Sequence, residues 1–137
     1  MNRRHVFADS AAWIALTDSA DDLHELAARV YQKLYTRKTR IVTSELVLVE
    51  VANSLSAPRL RPYACDLIGN LRTEGKVDVV RLSTELFTEA FHLFSNRKDK
   101  EWSLTDCSSF VIMTERKITT AFTSDHHFEQ AGFSKLL

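Results

Sequence analysis

Four acids in this chain stand at the margins of apolar runs: Asp9 in FADS, Glu50 in LVEV, Asp106 in LTDC and Asp125 in TSDHHF. Each has an ordinary reading. Asp9 and Asp125 suit the caps of helical turns that follow them, and Asp106 suits the third helical position of a capping box opened by Ser103. Glu50 is harder to explain. From Leu46 to Ala52 the sequence is LVLVEVA, apolar on every side of a helix except at Glu50, and a helix apolar all round is expected to be buried. An isolated carboxylate there is costly without a partner. Its neighbours one helical turn away, Leu46, Val47, Asn53 and Ser54, cannot neutralise it.

Taken together the four acids define a chemistry. Carboxylates ~6 Å apart repel by roughly 3 kcal/mol per pair at an effective dielectric of 20, so gathering four is a poor device for stability. A divalent cation turns that repulsion into coordination. Oxygen-only donors suit Mg2+ or Mn2+, which retain water and accept phosphate oxygens. Such a site suits hydrolysis of a phosphodiester.

The elements that must position these acids alternate. HVFA is an apolar run that stops at Asp9 and is expected to be a buried strand. DDLHELAARVYQKLYTRK carries Leu23, Leu26, Ala27, Val30 and Leu34 at helical spacing. RIVT is a second strand. SELVLVEVANSL is a helix opened by Ser44 as N-cap, with Glu45 in its first turn. APRLRP breaks it, and YACDLIGNLRTEG is a helix stopped by Gly75. KVDVVRL is a strand. STELFTEAFHLFSNRK is a helix capped by Ser83, with an apolar face from Leu86 to Phe94. SLTDCSSFVIMTERK is a helix, ITTAFTSD a strand ending at Asp125, HHFEQAG a helical turn, and FSKLL closes the chain. Strands separated by helices require crossover connections. The expectation is an α/β fold, a mostly parallel central sheet flanked by helices, with ligands bound beyond the carboxyl ends of the strands.

With 137 residues, 45% hydrophobic and 26% charged, and with three Gly and two Pro, the chain has the composition of one globular domain spanning residues 1–137. Lys and Arg number 18 and Asp and Glu 18, so net charge decides nothing about nucleic acid. The local basic clusters, Arg37, Lys38 and Arg40, and Arg97, Lys98 and Lys100, read as solvated loop charges. Cys65 and Cys107 form neither a metal-binding spacing nor a disulfide framework. No leader peptide and no membrane-spanning run is discernible, so a soluble cytoplasmic protein is expected.

VFADSAAWIAL, VTSELVLVEV, WSLTDCSSFVIM and TAFTSDHHFEQAGF resemble, in order, the successive motifs of PIN-domain proteins, the family that includes VapC-type toxin ribonucleases. The resemblance runs from about His5 to the end. It implies a PIN-like three-layer α/β/α sandwich, an acidic pocket binding Mg2+ or Mn2+, and endonucleolytic cleavage of RNA. By motif the catalytic and metal-holding acids are Asp9, Glu50, Asp106 and Asp125. Ser10, Thr105 and Ser124 are implied as hydroxyls that orient a carboxylate or a water. Relatives often carry Thr after the first Asp, and Ser10 keeps the hydroxyl. A small antitoxin protein and a second copy of the chain are the partners the resemblance implies, beside the RNA substrate.

Other readings compete. A haloacid-dehalogenase-like phosphatase also begins with Asp at a strand end but needs a second Asp two residues on, where this chain has Ala11. RNase H-like nucleases open with antiparallel strands, whereas a long helix follows the first strand here. A non-catalytic, metal-stabilised, protein-binding PIN-like module is the alternative from a different class. Asp99 is expected to pair with Lys98 or Lys100, His126 and His127 to lie at the surface, Cys107 to be a core residue, and Trp13 and Trp102 to pack.

Overall fold

The computed structural model describes residues 4–137. The expectation that no leader opens the chain falls in part on residues 1–3, outside the described ones. Five strands, β1 (His5–Ala8), β2 (Arg40–Ser44), β3 (Val77–Val80), β4 (Thr120–Phe122) and β5 (Ser134–Lys135), form one sheet in the order β3-β2-β1-β4-β5. Every pairing is parallel, with Phe7 opposite Val42 on one side and Ala121 on the other. Among the described residues seven helices flank it: α1 (Ser10–Thr17), α2 (His24–Thr36), α3 (Glu45–Ser54), α4 (Arg61–Thr73), α5 (Thr84–Asn96), α6 (Leu104–Glu115) and α7 (His126–Gln130). This is the expected α/β architecture. None of the helices among the described residues is long and apolar enough to cross a membrane.

The strand order has a direct consequence. The chain steps from β1 outward through β2 to β3, then returns to the other side of β1 as β4. The crevice beyond the carboxyl ends of β1 and β4 is therefore the topological switch point, where open parallel sheets bind ligands. Asp9 leaves β1 there, and its backbone N–H donates to Phe122 O at 3.1 Å. The strands beneath are packed: Phe7, Val42, Ala121 and Phe122 are fully buried. Trp13 anchors α1 on them. Its indole N–H donates to Thr43 Oγ1 at 3.1 Å, and that hydroxyl donates to Ala8 O at 2.8 Å, immediately before Asp9. Trp13 is thus a packing residue, as expected.

Helix starts follow the cap chemistry. Ser44, Ser83 and Ser103 each accept from the backbone N–H three residues on, at 3.1, 3.0 and 2.9 Å. Gly75 sits just past α4 with φ +71°, a conformation that favours glycine, and ends the helix as the sequence implied. Pro62 lies in the first turn of α4 rather than before it, where a missing N–H costs nothing.

Four expectations need correction. Helix α1 was not anticipated, because SAAWIALT is apolar on nearly every side and shows no period. β4 ends at Phe122, not at Asp125, because the Thr123 side chain turns to bond Asp9 and the Asp125 N–H. α3 is not buried all round: Val49 is 55% exposed and Glu50 half-buried, while Val47, Leu48 and Val51 face the core. Asp99 pairs with Arg97, at 3.0 and 3.1 Å, rather than with a lysine. On α5, Leu86 and Ala90 are buried but Phe87, Phe91 and Phe94 lie near half exposure, so its apolar residues occupy two faces. Val49→Lys is expected to change unfolding free energy by less than about 0.5 kcal/mol in urea titrations, since the side chain meets solvent.

Candidate active site

Four elements bring the acids together. Asp9 occupies the N-cap position of α1, yet its side chain makes no cap hydrogen bond. It is 2% exposed. Oδ2 accepts from the Thr123 hydroxyl at 3.1 Å, and Oδ1 has no partner, the one such buried side-chain atom recorded among the described residues. A buried, unpaired carboxylate oxygen calls for an explanation such as an ion. Burial is the main force raising the Asp9 pKa from 3.8 to about 7; the charges of Glu50 and Asp106 push the same way. The Ser10 amide and the Thr123 hydroxyl oppose them.

Glu50 reaches the site from the second turn of α3. The partner its own helix lacks comes from 40 residues away: the Ser10 hydroxyl donates to Glu50 Oε1. Asp106, buried in the first turn of α6, completes a capping box with Ser103, whose backbone N–H donates to Oδ2 at 3.1 Å. The same Oδ2 lies 3.0 Å from His127 Nδ1. Its pKa is raised, first by burial and then by the Asp125 charge, against the pull of the Ser103 N–H and His127. Asp125 caps α7, accepting from the His127 N–H at 2.9 Å. Asp106 and Asp125 thus both take the helix-start positions expected of them.

Electrostatic coupling therefore runs from Glu50 to Asp9, from Asp9 to Asp106 and from Asp106 to Asp125. Of the hydroxyls expected beside the acids, that of Ser10 is bonded to Glu50. Thr105 contributes its carbonyl to the Ser108 and Ser109 hydroxyls, at 2.7 and 3.1 Å. The hydroxyl after β4 that bonds Asp9 is that of Thr123, which also accepts from the Asp125 N–H at 3.0 Å. His127, expected at the surface, turns inward. His126 is 71% exposed at its side chain, but His127 is only 19% exposed and lies between Asp106 and Asp125.

An aromatic chain holds α7 in place. Trp102 meets Phe110 of α6, and Phe110 meets Phe128 of α7, both edge to face at 5.0 Å between centroids. Trp102 Nε1 donates to Gln130 Oε1 at 3.0 Å. Cys107 is fully buried, and burial pushes its thiol up to about 11, which makes it a core residue and no nucleophile. Ser103→Ala removes half of the capping box that aims Asp106, and is expected to lower stability by about 1 kcal/mol by urea denaturation.

The donors fit a divalent cation: an orphaned buried oxygen on Asp9, further carboxylates coupled to it, and hydrogen bonds that fix the others. Among the described residues, the group of three or more His, Cys, Asp or Glu donor atoms that all lie within 4.8 Å of one another is Asp125, His126 and His127.

Comparison with known proteins agrees with this arrangement. The chain matches the PIN domain family over residues 6–134. It is 27% identical over 128 residues to the 23S rRNA-specific endonuclease VapC20 of Mycobacterium tuberculosis, covering 93% of this chain and 95% of that protein. The crystal structure of that VapC20, a Sarcin-Ricin loop cleaving toxin, superposes with a TM-score of 0.83 at 27% identity, over 93% of this chain and 95% of the other. The fold extends to FitAcB from Neisseria gonorrhoeae, at a TM-score of 0.66 and 13% identity over 95% of both chains. The family match spans nearly the whole sheet and every acid of the switch-point site, and the chain therefore belongs to the PIN domain family.

Proposed function

We propose that this protein is a Mg2+- or Mn2+-dependent endoribonuclease, a single PIN domain over residues 1–137 acting in the cytoplasm as the toxin of a toxin-antitoxin pair. The observation that carries the reading is the buried Asp9 Oδ1, left without a partner amid three coupled or neighbouring acids. Asp9, Glu50, Asp106 and Asp125 are the residues assigned to hold the ion. Bound there, a divalent cation would polarise the phosphate, lower the pKa of water and stabilise the leaving oxygen.

The chain's own groups supply the rest. Thr123 donates to one Asp9 oxygen and leaves the other without a partner. Ser10 orients Glu50, and the Ser103 amide and His127 hold Asp106. Ser124 and Thr105, half-buried at the rim, are assigned to solvent and substrate contacts. Water adds to phosphorus, the P–O3′ bond breaks, and the 3′ oxygen gains a proton, leaving 5′-phosphate and 3′-hydroxyl ends.

The likeness to a 23S rRNA endonuclease supports structured RNA as the substrate class. A small antitoxin and a second copy of the chain are proposed as partners by the same analogy. The test is cleavage of a ribosomal RNA hairpin with Mg2+ or Mn2+. Activity should vanish with chelator and return with the ion, and Asp106→Asn should be inactive. Cleavage that persists in chelator would rule this function out. Thr123→Val, which removes the hydroxyl from Asp9, is expected to slow cleavage roughly 10–100-fold, read as kcat at saturating RNA.

A further inference from the structure

We infer that Asp125, His126 and His127 form a nitrogen-rich corner of the acidic pocket, one that binds a borderline transition ion such as Zn2+ or Co2+ in preference to Mg2+. The corner shares acids with the proposed nuclease site, but its existence does not depend on whether RNA is cut.

The geometry is that of a site rather than of scattered surface residues. The Nδ1 atoms of His126 and His127 lie 3.8 and 3.4 Å from Asp125 Oδ1. Donors bound tetrahedrally at ~2.1 Å stand about 3.4 Å apart, so those separations need little adjustment to close on one ion. The two rings sit 4.5 Å apart between centroids and are tilted by 50°, so they are not stacked flat against each other. Asp106 Oδ2 lies 3.0 Å from His127 Nδ1 but outside the set of mutually close donors, which is Asp125, His126 and His127. Without an ion, His127 Nδ1 faces the Asp106 carboxylate as a hydrogen-bond donor; an ion would take the place of that proton, leaving the imidazole protonated on Nε2 with the Nδ1 lone pair as ligand. Within the corner Asp125 Oδ1 accepts from the His127 N–H; from outside it, the Thr123 hydroxyl accepts from the Asp125 N–H and the buried Phe128 pins α7.

Donor chemistry then separates two kinds of ion. Mg2+ takes oxygen donors and retains water, whereas imidazole nitrogen suits Zn2+ and its first-row neighbours. Asp9 and Glu50 offer oxygen only; the α7 corner offers two nitrogens. An ion at the corner would engage Asp125 and take the His127 nitrogen away from Asp106, perturbing two of the acids assigned to the hard-ion site. Zn2+ is therefore expected to compete with function supported by Mg2+.

The experiment titrates metal-free protein with Co2+ and follows the visible d–d absorption, then displaces Co2+ with Zn2+ or Mg2+. Wild type should give an intense, tetrahedral-type spectrum that Zn2+ abolishes at stoichiometric amounts and millimolar Mg2+ does not. His126→Ala and His127→Ala should each weaken Co2+ binding roughly 10–100-fold. His126 is exposed, so its replacement leaves folding intact and keeps the test valid if His127→Ala is destabilised. Asp9→Asn distinguishes this inference from the nuclease reading: it should keep the Co2+ spectrum. Binding unchanged in His126→Ala, or lost equally in Asp9→Asn, would place the ion elsewhere and overturn the inference. Cleavage that survives Asp9→Asn, with the Co2+ spectrum intact, would overturn the nuclease reading alone.

Discussion

Asp9→Asn is expected to reduce RNA cleavage at saturating Mg2+ by at least about 100-fold, the upper end of what loss of a group that merely supports a metal ligand costs. The substitution is nearly isosteric. The amide oxygen can still accept from the Thr123 hydroxyl, so the link between β1 and β4 survives and the protein should remain folded. What changes is the second atom. An amide nitrogen stands where Oδ1 stood, and it cannot coordinate a cation. It also removes a charge from a position where Glu50 and Asp106 already repel it. The loss should therefore appear in cleavage without a matching loss of fold by circular dichroism. Asp99→Asn is the control, because Asp99 is exposed and paired with Arg97 on a loop. A rate for Asp9→Asn within threefold of wild type would remove Asp9 from the machinery altogether.

Much of the fold was legible because β-strands and amphipathic helices leave different periods. RIVT, the Leu23-to-Leu34 helix and the Ser-capped starts of α3, α5 and α6 all emerged near their observed places. The elements that escaped share one cause. Helix α1 is buried between the sheet and its neighbours, so its residues are apolar all round and carry no signal of a face. β5 is two residues long and gains its hydrogen bonds only by lying beside β4. In both cases tertiary placement, not local pattern, decides the element.

The same division governs the site. The four acids stand out because each interrupts an apolar run, and the parallel topology says which ends of the strands meet. Of the groups bonded to them, Ser103 and Ser10 were named from the sequence, whereas Thr123 was not and His127 was expected at the surface. Whether Thr123 or Ser124 faces Asp9 depends on where β4 stops, and the strand period inverts with a shift of one residue. His126 and His127 are indistinguishable as neighbours in sequence. On a helix they point about 100° apart, and only the packing of Phe128 decides which one turns inward. Glu50 illustrates the converse: its local neighbours could not neutralise it, and its partner, Ser10, lies at the start of the helix that the pattern did not reveal.

Metal-free protein is expected to lose stability as pH rises from about 4 to about 7, the reverse of ordinary carboxylate behaviour. Asp9 ionises at 3.8 in its ordinary state and at about 7 in the fold. Between those values the folded chain holds a proton that the unfolded chain has released. The unfolding free energy must then fall with pH, fully favourable below 3.8 and lost as pH passes through about 7. A shift of about three units corresponds to an upper limit of about 4 kcal/mol from this one group. The raised pKa of Asp106 acts in the same direction. Urea midpoints measured in chelator from pH 5 to 8 should decline, and Asp9→Asn should flatten most of that decline while raising stability at pH 8. Added Mg2+ should stabilise wild type more at pH 8 than at pH 5, because the ion competes with the Asp9 proton for the same oxygen. An identical slope in Asp9→Asn would show that Asp9 does not carry it. The desolvation that makes Asp9 costly to ionise in the empty pocket also makes a cation bound there interact strongly with it, so the instability and the proposed ion affinity have one physical origin.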